Sequence, residues 1–179
     1  MRAFLTYSKT ATTSPAFPKK GLASHTGRLD VIARMLRAAL WWNGIRRDTN
    51  FIVTLGGPPN APLTLWFKGK ELDVSLRTEK EAAEAIRSCM KGELKGCKAT
   101  KHTFEEVLKS IGMPVYFLTE GGEDISRVKV ELPAAFVLGP QHDLELPAWL
   151  EAKRISIGPK SYLASHCISF IHFWLDSNL

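Results

Sequence analysis

The stretch ISIGPKSYLASHC, residues 155–167, places an apolar run directly before a Gly-Pro turn and the start of an apolar helix. An apolar run also leads into a glycine-bearing loop twice earlier, in AAFVLGPQH (residues 134–142) and VYFLTEGG (residues 115–122). Each apolar run predicts a short buried strand that ends at its glycine. Ligands of open α/β sheets bind beyond the carboxyl ends of the strands, so these three loops together predict a pocket for a small ligand. None of them matches GxGxxG or a Walker A loop, which disfavours a dinucleotide or a P-loop nucleotide.

The rest of the chain alternates strands with helices. Strands are predicted at residues 2–8, 51–55, 63–67, 71–74, 115–118, 134–138 and 154–157, and helices at residues 28–42, 78–91, 103–111 and 161–176. Thr26 and Gly44 are expected to begin and end the first helix, and Thr78/Glu81 and Thr103/Glu106 are capping boxes. The Lys-Gly-Lys segment at residues 68–70 predicts a hairpin between its flanking strands. These elements predict one α/β domain with a mostly parallel sheet, helices on both faces and a small N-terminal antiparallel extension.

Positive charge is concentrated in the first third of the chain. The 179 residues carry 24 basic and 18 acidic side chains, a formal charge of +6, and 45% of them are hydrophobic, an ordinary globular composition. Residues 1–50 hold nine basic and two acidic side chains (nine minus two, +7), which leaves fifteen minus sixteen, −1, for the remainder. This asymmetry is typical of a surface that binds nucleic acid, although a merely solvated basic face is the alternative.

Several classes of protein are disfavoured by the sequence. Three cysteines, Cys89, Cys97 and Cys167, offer neither an even framework nor a CxxC pair, so structural zinc and stapling disulfides are not expected. No metal site is predicted. The N-terminus lacks the apolar core of a signal peptide and no apolar run is long enough for a membrane span, so a cytoplasmic protein without a membrane partner is expected.

Two ends of the chain resemble a known family. The segments LGPQ (residues 138–141) and ISIGPKSYLASHC resemble the cofactor region of the SPOUT methyltransferases. The segments HTGRLD (residues 25–30) and GIRRD (residues 44–48) are similar to motifs of the TrmY family of archaeal tRNA pseudouridine-54 N1-methyltransferases and of its bacterial relatives. The segment LRTEKE (residues 76–81) departs from the Asn-Pro-Asp-Glu-Arg-like stretch that this family commonly carries.

The resemblance implies an S-adenosyl-L-methionine-dependent RNA methyltransferase that acts on N1 of pseudouridine in tRNA. It also implies a C-terminal trefoil knot, with residues 1–78 as a basic, RNA-facing part and residues 79–179 as the cofactor-binding, knotted part. A homodimer is implied as well, and the nearly all-apolar last helix favours it independently. The alternatives are a SPOUT enzyme for another RNA base or a ribose, and an RNA-binding SPOUT protein that has lost catalysis.

Candidate site residues follow from the loops, the charges and the resemblance. The cofactor is expected to contact Leu118, Glu120, Gly121, Gly122, Leu138, Gly139, Ile157, Gly158, Tyr162, Leu163 and Cys167. RNA is expected to contact Arg34, Arg46, Arg47, Lys19 and Lys20. Catalysis is assigned to Arg28 and Asp30, with Asp30 as a proton acceptor or an orienter of the base.

Some of these residues have a structural alternative. Asp30 could be only one half of an i,i+4 ion pair with Arg34, in which case Asp48 is the next candidate. Arg46 and Arg47 could interact with the end of the preceding helix instead of with phosphates. Cys167 is expected to pack beside the cofactor rather than to act as a nucleophile.

Overall fold

Strand β1 (Arg2–Ser8) lies at the centre of the β-sheet in the computed structural model, which describes residues 1–142 and 144–179. The other strands are β2 (Thr49–Leu55), β3 (Leu63–Lys68), β4 (Cys97–Thr100), β5 (Val115–Asp124), β6 (Ala134–Val137) and β7 (Ala152–Ser156). The described strands are ordered β4-β3-β2-β1-β6-β5-β7. The pairs β1–β2, β1–β6, β5–β6 and β5–β7 are parallel, whereas β3 pairs antiparallel with β2 and β4. The mostly parallel α/β sheet with an antiparallel edge is therefore confirmed.

Helices cover both faces of this sheet. They are α1 (Leu22–His25), α2 (Leu29–Leu40), α3 (Glu79–Met90), α4 (Phe104–Ser110) and α5 (Ala164–Asn178). Alternation along β1 sends Phe4 to the core formed with α2, α3 and α5, and sends Ala3 and Leu5 to the core formed with α4. The sheet combines strands from both predicted parts of the chain, because β1 lies between β2 and β6.

Local capping signals place two helices correctly. In α3, the backbone N–H of Glu81 donates to the Thr78 hydroxyl and the Thr78 N–H donates to the Glu81 carboxylate, and Thr103 with Glu106 repeats the arrangement in α4. Helix α2 is shorter than predicted, because it ends at Leu40 and not at residue 42. Gly44 is not its C-cap; it lies in the turn closed by the bridge between Trp41 and Ile45.

The predicted hairpin around residues 68–70 is wrong. Residues 71–74 form no strand; the N–H of Leu72 donates to the Lys68 carbonyl in a turn, and the Leu72 side chain is fully buried. The antiparallel partners of β3 are β2 and the later strand β4. The alternating apolar residues at positions 71–74 therefore do not form a second hairpin strand. They form an irregular segment that buries Leu72 in the same core as the buried side of α3.

The expectation of three free thiols is also wrong. Cys89, near the end of α3, and Cys97, the first residue of β4, form a disulfide with their Cα atoms 5.5 Å apart. The odd cysteine is Cys167, which is buried and free. The two cysteines are eight residues apart in the sequence, and this spacing matches no known disulfide motif. They can pair because β4 returns beside α3.

Helix α5 differs from the prediction in its start and in the side chains that it buries. It begins at Ala164 rather than at residue 161, and two of its polar side chains are used within the protein: His172 is buried and Asp176 pairs with Arg2 at 2.8 Å. The exposed face of the helix instead carries Phe170 and Phe173, the latter with 70% of its surface accessible.

Candidate active site

A pocket lies at the carboxyl edge of the sheet, where the loops after β5, β6 and β7 converge on the start of α2. Its volume is about 660 Å³, within the range of roughly 300–1,000 Å³ that small-molecule sites occupy. Of the predicted cofactor contacts, Leu118, Glu120, Leu138, Gly139, Ile157, Gly158, Tyr162, Leu163 and Cys167 line it. Arg28 and Arg34 line it from the opposite side, so the structure brings together residues from both ends of the chain.

Two predicted contacts, Gly121 and Gly122, do not line the pocket. The expected Glu-Gly-Gly loop is part of strand β5, which extends to Asp124 and changes register against β7 between Leu118 and Glu123. A Cβ on Gly122 would overlap the backbone of Ile155, so this glycine permits the close approach of β7 rather than of a ligand.

The glycines of the other two loops likewise serve the protein's own packing. A Cβ on Gly139 would overlap the carbonyl of His142, and one on Gly158 would lie 2.7 Å from the Tyr162 hydroxyl. Contacts within the loops after β6 and β7 therefore fix their conformation, so this part of the pocket wall is formed before a ligand binds.

Arg28, Asp30 and Arg34 form a cluster at the start of α2. Nε and Nη2 of Arg28 donate to the two carboxylate oxygens of Asp30 at 2.9 and 3.0 Å, and Nη2 of Arg34 donates to Oδ2 at 2.7 Å. Asp30 is itself buried, with 10% of its side chain accessible, whereas the arginines keep 46% and 38%. The carboxylate thus lies behind two guanidinium groups that face the pocket.

The charge state of Asp30 follows from these contacts. Its pKa is lowered, mainly by the hydrogen bonds from Arg28 against the opposing effect of burial. A carboxylate held anionic by three guanidinium bonds is a poor proton acceptor and a good anchor. Arg28 has a left-handed backbone, with φ of 69°, which is uncommon outside glycine and clusters at functional sites.

The thiol of Cys167 is not suited to nucleophilic chemistry. Burial raises its pKa to about 11, so the thiolate is scarce near neutral pH. Its position in the pocket wall agrees with the expected packing role.

Sequence reasoning missed part of the pocket lining. Val31, Thr119, Pro140, Gln141, His142, Ser156, Lys160, Ser161, Ala164 and Ser165 also line it. Most of these residues directly flank predicted ones, so the loops carried the signal. His142 carries no signal of its own in the sequence, and only the folded loop brings it to the pocket.

The predicted RNA contacts are divided between two environments. Lys19 and Lys20 are exposed in the loop that follows β1. The Arg46 side chain is 16% accessible and pairs with Asp176 at 2.8 Å, while Nη1 of Arg47 donates to the carbonyls of Gly69, Lys70 and Leu72. Arg46 and Arg47 are thus engaged within the chain and lie outside the pocket.

Within residues 1–142 and 144–179, no group of three or more His, Cys, Asp or Glu side chains could hold a metal ion. None of the helices in that part of the chain has the length and apolar character needed to cross a membrane.

Known proteins resemble this chain over nearly its whole length. Residues 1–178 match a family described as "Putative SAM-dependent RNA methyltransferase". The tRNA (pseudouridine(54)-N(1))-methyltransferase of Thermococcus kodakarensis is 37% identical, with 98% of this chain and 99% of that protein covered. The proteins of the same name from Pyrococcus abyssi and Methanocella arvoryzae are 34% and 33% identical, each over 98% of this chain.

A solved structure agrees with this placement. The crystal structure of Archaeoglobus fulgidus Nep1 bound to S-adenosylhomocysteine matches with a TM-score of 0.63 and covers 98% of this chain and 97% of that chain. The two sequences are 12% identical, so the likeness is one of fold.

Proposed function

This chain belongs to the family of SAM-dependent RNA methyltransferases, and we propose that it methylates N1 of pseudouridine at position 54 of tRNA. The observation that carries the proposal is the pocket, which joins three strand-end loops to the Arg28–Asp30–Arg34 cluster. A methyl donor in the loops and a base beside the arginines would meet within one cavity. The full-length likeness to tRNA (pseudouridine(54)-N(1))-methyltransferases supports the choice of nucleoside and position.

The residues present suit S-adenosyl-L-methionine. Leu118, Leu138, Ile157 and Leu163 offer apolar surface for an adenine ring, and the preformed loop backbones offer hydrogen-bonding groups beside it. Glu120 and Lys160 at the rim could pair with the ammonium and carboxylate of a methionine moiety. When bound, this cofactor would supply an electrophilic methyl group. The contribution of the protein is to hold donor and acceptor in line, which can be worth roughly 7–11 kcal/mol.

Arg28 is the residue proposed to contact the target base. Its guanidinium is fixed by both oxygens of Asp30 yet stays accessible from the pocket, so it can orient a carbonyl of the base and stabilise negative charge there as the N1 proton leaves. Asp30 is assigned a positioning role, because its oxygens are occupied and its pKa is lowered. The proton is assigned to water at the open side of the pocket.

Arg34, Lys19 and Lys20 are proposed to contact RNA phosphates. Arg34 lines the pocket and all three side chains reach solvent, so their charges are available to a bound strand. Arg46 and Arg47 remain candidates from the sequence, but their intramolecular partners leave less of each guanidinium free.

A homodimer through α5 is part of the proposal. Leu163, directly before this helix, and Phe170 and Phe173 on its exposed face are 59%, 40% and 70% accessible. Such an apolar stripe on a well-packed helix is typical of an interface. Light scattering should give twice the chain mass of 19.9 kDa, and Phe173→Glu should give the monomer mass. A wild-type monomer at micromolar concentration would contradict this part of the proposal.

The proposal also includes a C-terminal trefoil knot and a cytoplasmic location. The knot is supported by the shared fold with a solved methyltransferase structure and by the parallel order β1-β6-β5-β7. The location is supported by the tRNA substrates of the relatives. A crystal structure traced from residue 115 to residue 179 would test the first, and fractionation of the source cells the second.

Nucleoside mass spectrometry tests the activity itself. Purified protein, S-adenosyl-L-methionine and a tRNA carrying pseudouridine at position 54 should give N1-methylpseudouridine, and the same tRNA with uridine there should give no product. A methylated base or ribose elsewhere would point to another RNA methyltransferase. Cofactor binding without any product on any tRNA would point to an RNA-binding protein that has lost catalysis.

A further inference from the structure

The carboxyl edge of the sheet continues beyond the pocket as a strip formed by the loops after β1, β2 and β4. Hydrogen bonds join these loops into one surface. The Thr10 hydroxyl donates to the Gly27 carbonyl at 2.9 Å, next to Arg28 at the pocket, and the Gly57 N–H donates to the Ala11 carbonyl at 2.9 Å.

The strip reaches β4 through the same loops. The Asn60 N–H donates to the Thr13 hydroxyl at 2.6 Å, and Nζ of Lys101 donates to the Asn60 carbonyl. The Arg87 guanidinium additionally donates to the carbonyls of Pro15 and Phe17 at 2.9 Å each. The loop after β1 is therefore fixed to the body of the protein through residue 17.

The charge of this strip is entirely of one sign. The loops themselves, residues 9–28, 56–62 and 101–103, contain no aspartate or glutamate and contribute Lys9, Lys19, Lys20, Arg28 and Lys101. At the β4 end, the Glu106 carboxylate of α4 accepts from the Thr103 N–H and caps its own helix. Among residues 1–142 and 144–179, no carboxylate oxygen lies within 4.0 Å of the Lys9, Lys19, Lys20 or Lys101 ammonium groups. Exposed Thr10 and His102 add hydrogen-bonding groups between the lysines.

The other borders of the sheet differ. At the amino edge, exposed side chains of both signs precede or follow most strands, with the carboxylates Asp48, Glu71, Asp73, Glu93, Glu131 and Glu151 beside the lysines Lys68, Lys70 and Lys95. At the carboxyl edge on the far side of the pocket, β5 ends in Glu120, Glu123 and Asp124, of which Glu123 pairs with Lys153 at 3.3 Å. A polyanion that enters the pocket is therefore attracted more strongly on the β1–β2–β4 side, where the lysines lack carboxylate partners among the described residues, than on the β5–β7 side, where the charges are mixed.

We propose that the strip from Arg28 through Lys9 to Lys101 is the track along which the backbone of the bound RNA runs from the pocket across the ends of β1, β2 and β4. The inference rests on the proposed function for the identity of the RNA. It adds the direction in which the RNA backbone leaves the pocket and two contact residues, Lys9 and Lys101. A track rather than a local patch follows from the continuous hydrogen-bonded loops, which hold the charges in fixed positions. Lysines and hydroxyl groups of this kind contact phosphates and carry no base specificity.

A pair of double variants tests the track. Lys9→Gln with Lys101→Gln removes two charges from the strip, whereas Lys70→Gln with Lys95→Gln removes two exposed lysine charges at the amino edge. Affinity for tRNA is measured by filter binding at several salt concentrations. The first variant should lower the slope of log affinity against log salt by about 1.5, since each phosphate contact contributes roughly 0.7–0.9. The second should keep the wild-type slope.

Two further readouts separate the outcomes. Cofactor affinity by calorimetry and the thermal midpoint should match wild type in both variants, because glutamine can still donate to Asn60. A wild-type slope in Lys9→Gln/Lys101→Gln, or an equal loss in both variants, overturns the track while N1-methylpseudouridine formation by the wild type would still stand. A reduced slope confined to the first variant, with a different methylated product from the wild type, supports the track and overturns the proposed nucleoside.

Discussion

Two clusters of the same composition, each a carboxylate between two arginines, lie at opposite edges of the sheet. At the carboxyl edge Asp30 pairs with Arg28 and Arg34 at 2.9 and 2.7 Å, and at the amino edge Asp176 pairs with Arg2 and Arg46, both at 2.8 Å. The distances are nearly equal, but the exposure is reversed. In the first cluster the arginines are open and the carboxylate is buried, whereas in the second the arginines are 7% and 16% accessible and the carboxylate is 43% accessible.

This difference in exposure implies different roles for the two clusters. A guanidinium with free N–H groups facing a pocket can bind a ligand, so the Asp30 cluster is suited to recognition. The Asp176 cluster joins α5 to β1 and to the segment after α2, and it includes the buried His172, whose Nδ1 lies 3.0 Å from Nη1 of Arg2. Both arginines of this cluster are mostly buried and paired with Asp176, so the cluster is suited to holding α5 in place.

The largest expected effect is on catalysis at the open cluster. Asp30→Asn should lower the single-turnover methylation rate by about 10²–10³-fold, because Arg28 loses the ionic anchor that fixes its fork. Cofactor affinity should change little. A rate within a few-fold of wild type at saturating RNA would show that Asp30 is dispensable, and Asp48 would become the next candidate. Arg28→Lys, which keeps the charge and loses the fork, should reproduce most of the loss.

The closed cluster should make stability depend on pH. Burial, followed by the charge of Arg46, lowers the pKa of His172 to about 4 from 6.5. Above pH 6.5 both folded and unfolded states hold it neutral; between pH 6.5 and 4 only the unfolded state takes up the proton, so stability falls as the pH falls. The loss should total about 3 kcal/mol across this window.

Urea unfolding at several pH values measures this effect. Arg2, Arg46, Asp48 and Asp176 are the charged groups around His172, and the pKa of Asp176 is lowered from 3.8, so its own titration falls below the window. His172→Gln should remove most of the dependence between pH 6.5 and 4. An unchanged dependence in that variant would assign it to other groups.

A smaller effect is expected when the closed cluster loses its carboxylate. Asp176→Asn leaves Arg2 and Arg46 with weaker partners, and the free energy of unfolding should fall by about 2 kcal/mol, less than for a fully buried pair because Asp176 is partly solvated. Thermal unfolding measures it. The methylation rate at 25 °C should stay near wild type, which is the reverse of the Asp30→Asn result. A large rate loss with unchanged stability would remove the distinction between the clusters.

The smallest expected effect compares one arginine from each cluster. Arg34→Ala should reduce the salt dependence of tRNA affinity by about one phosphate contact, roughly 0.7–0.9 in slope, whereas Arg46→Ala should leave it unchanged. The reason is that Arg34 is accessible at the pocket and Arg46 is held by Asp176 and stacked at 5.8 Å over Trp42. A reduced salt dependence in Arg46→Ala would instead support the prediction, made from the sequence, that Arg46 contacts an RNA phosphate.

Features that depend on neighbouring residues could be predicted from the amino-acid sequence. The capping boxes at Thr78 and Thr103 and the three strands that end in glycine loops act over a few positions, so their residue types fix the local geometry. The placement of the pocket followed from the same signals, because parallel strands share one carboxyl edge. The family motifs at both ends of the chain then indicated the chemistry.

Features that require distant segments to meet became visible only in the folded chain. Besides β2, strand β3 pairs with β4, which lies about 30 residues later, and the Cys89–Cys97 disulfide depends on that strand. Asp176 meets Arg2 across a separation of 174 residues. Charge and residue type were the same for Arg34 and Arg46, and burial separated them. The physical reason is that an ion pair or a sheet edge is set by which surfaces come into contact, and a sequence pattern with a period of two or of 3.6 residues specifies only the face that each element buries.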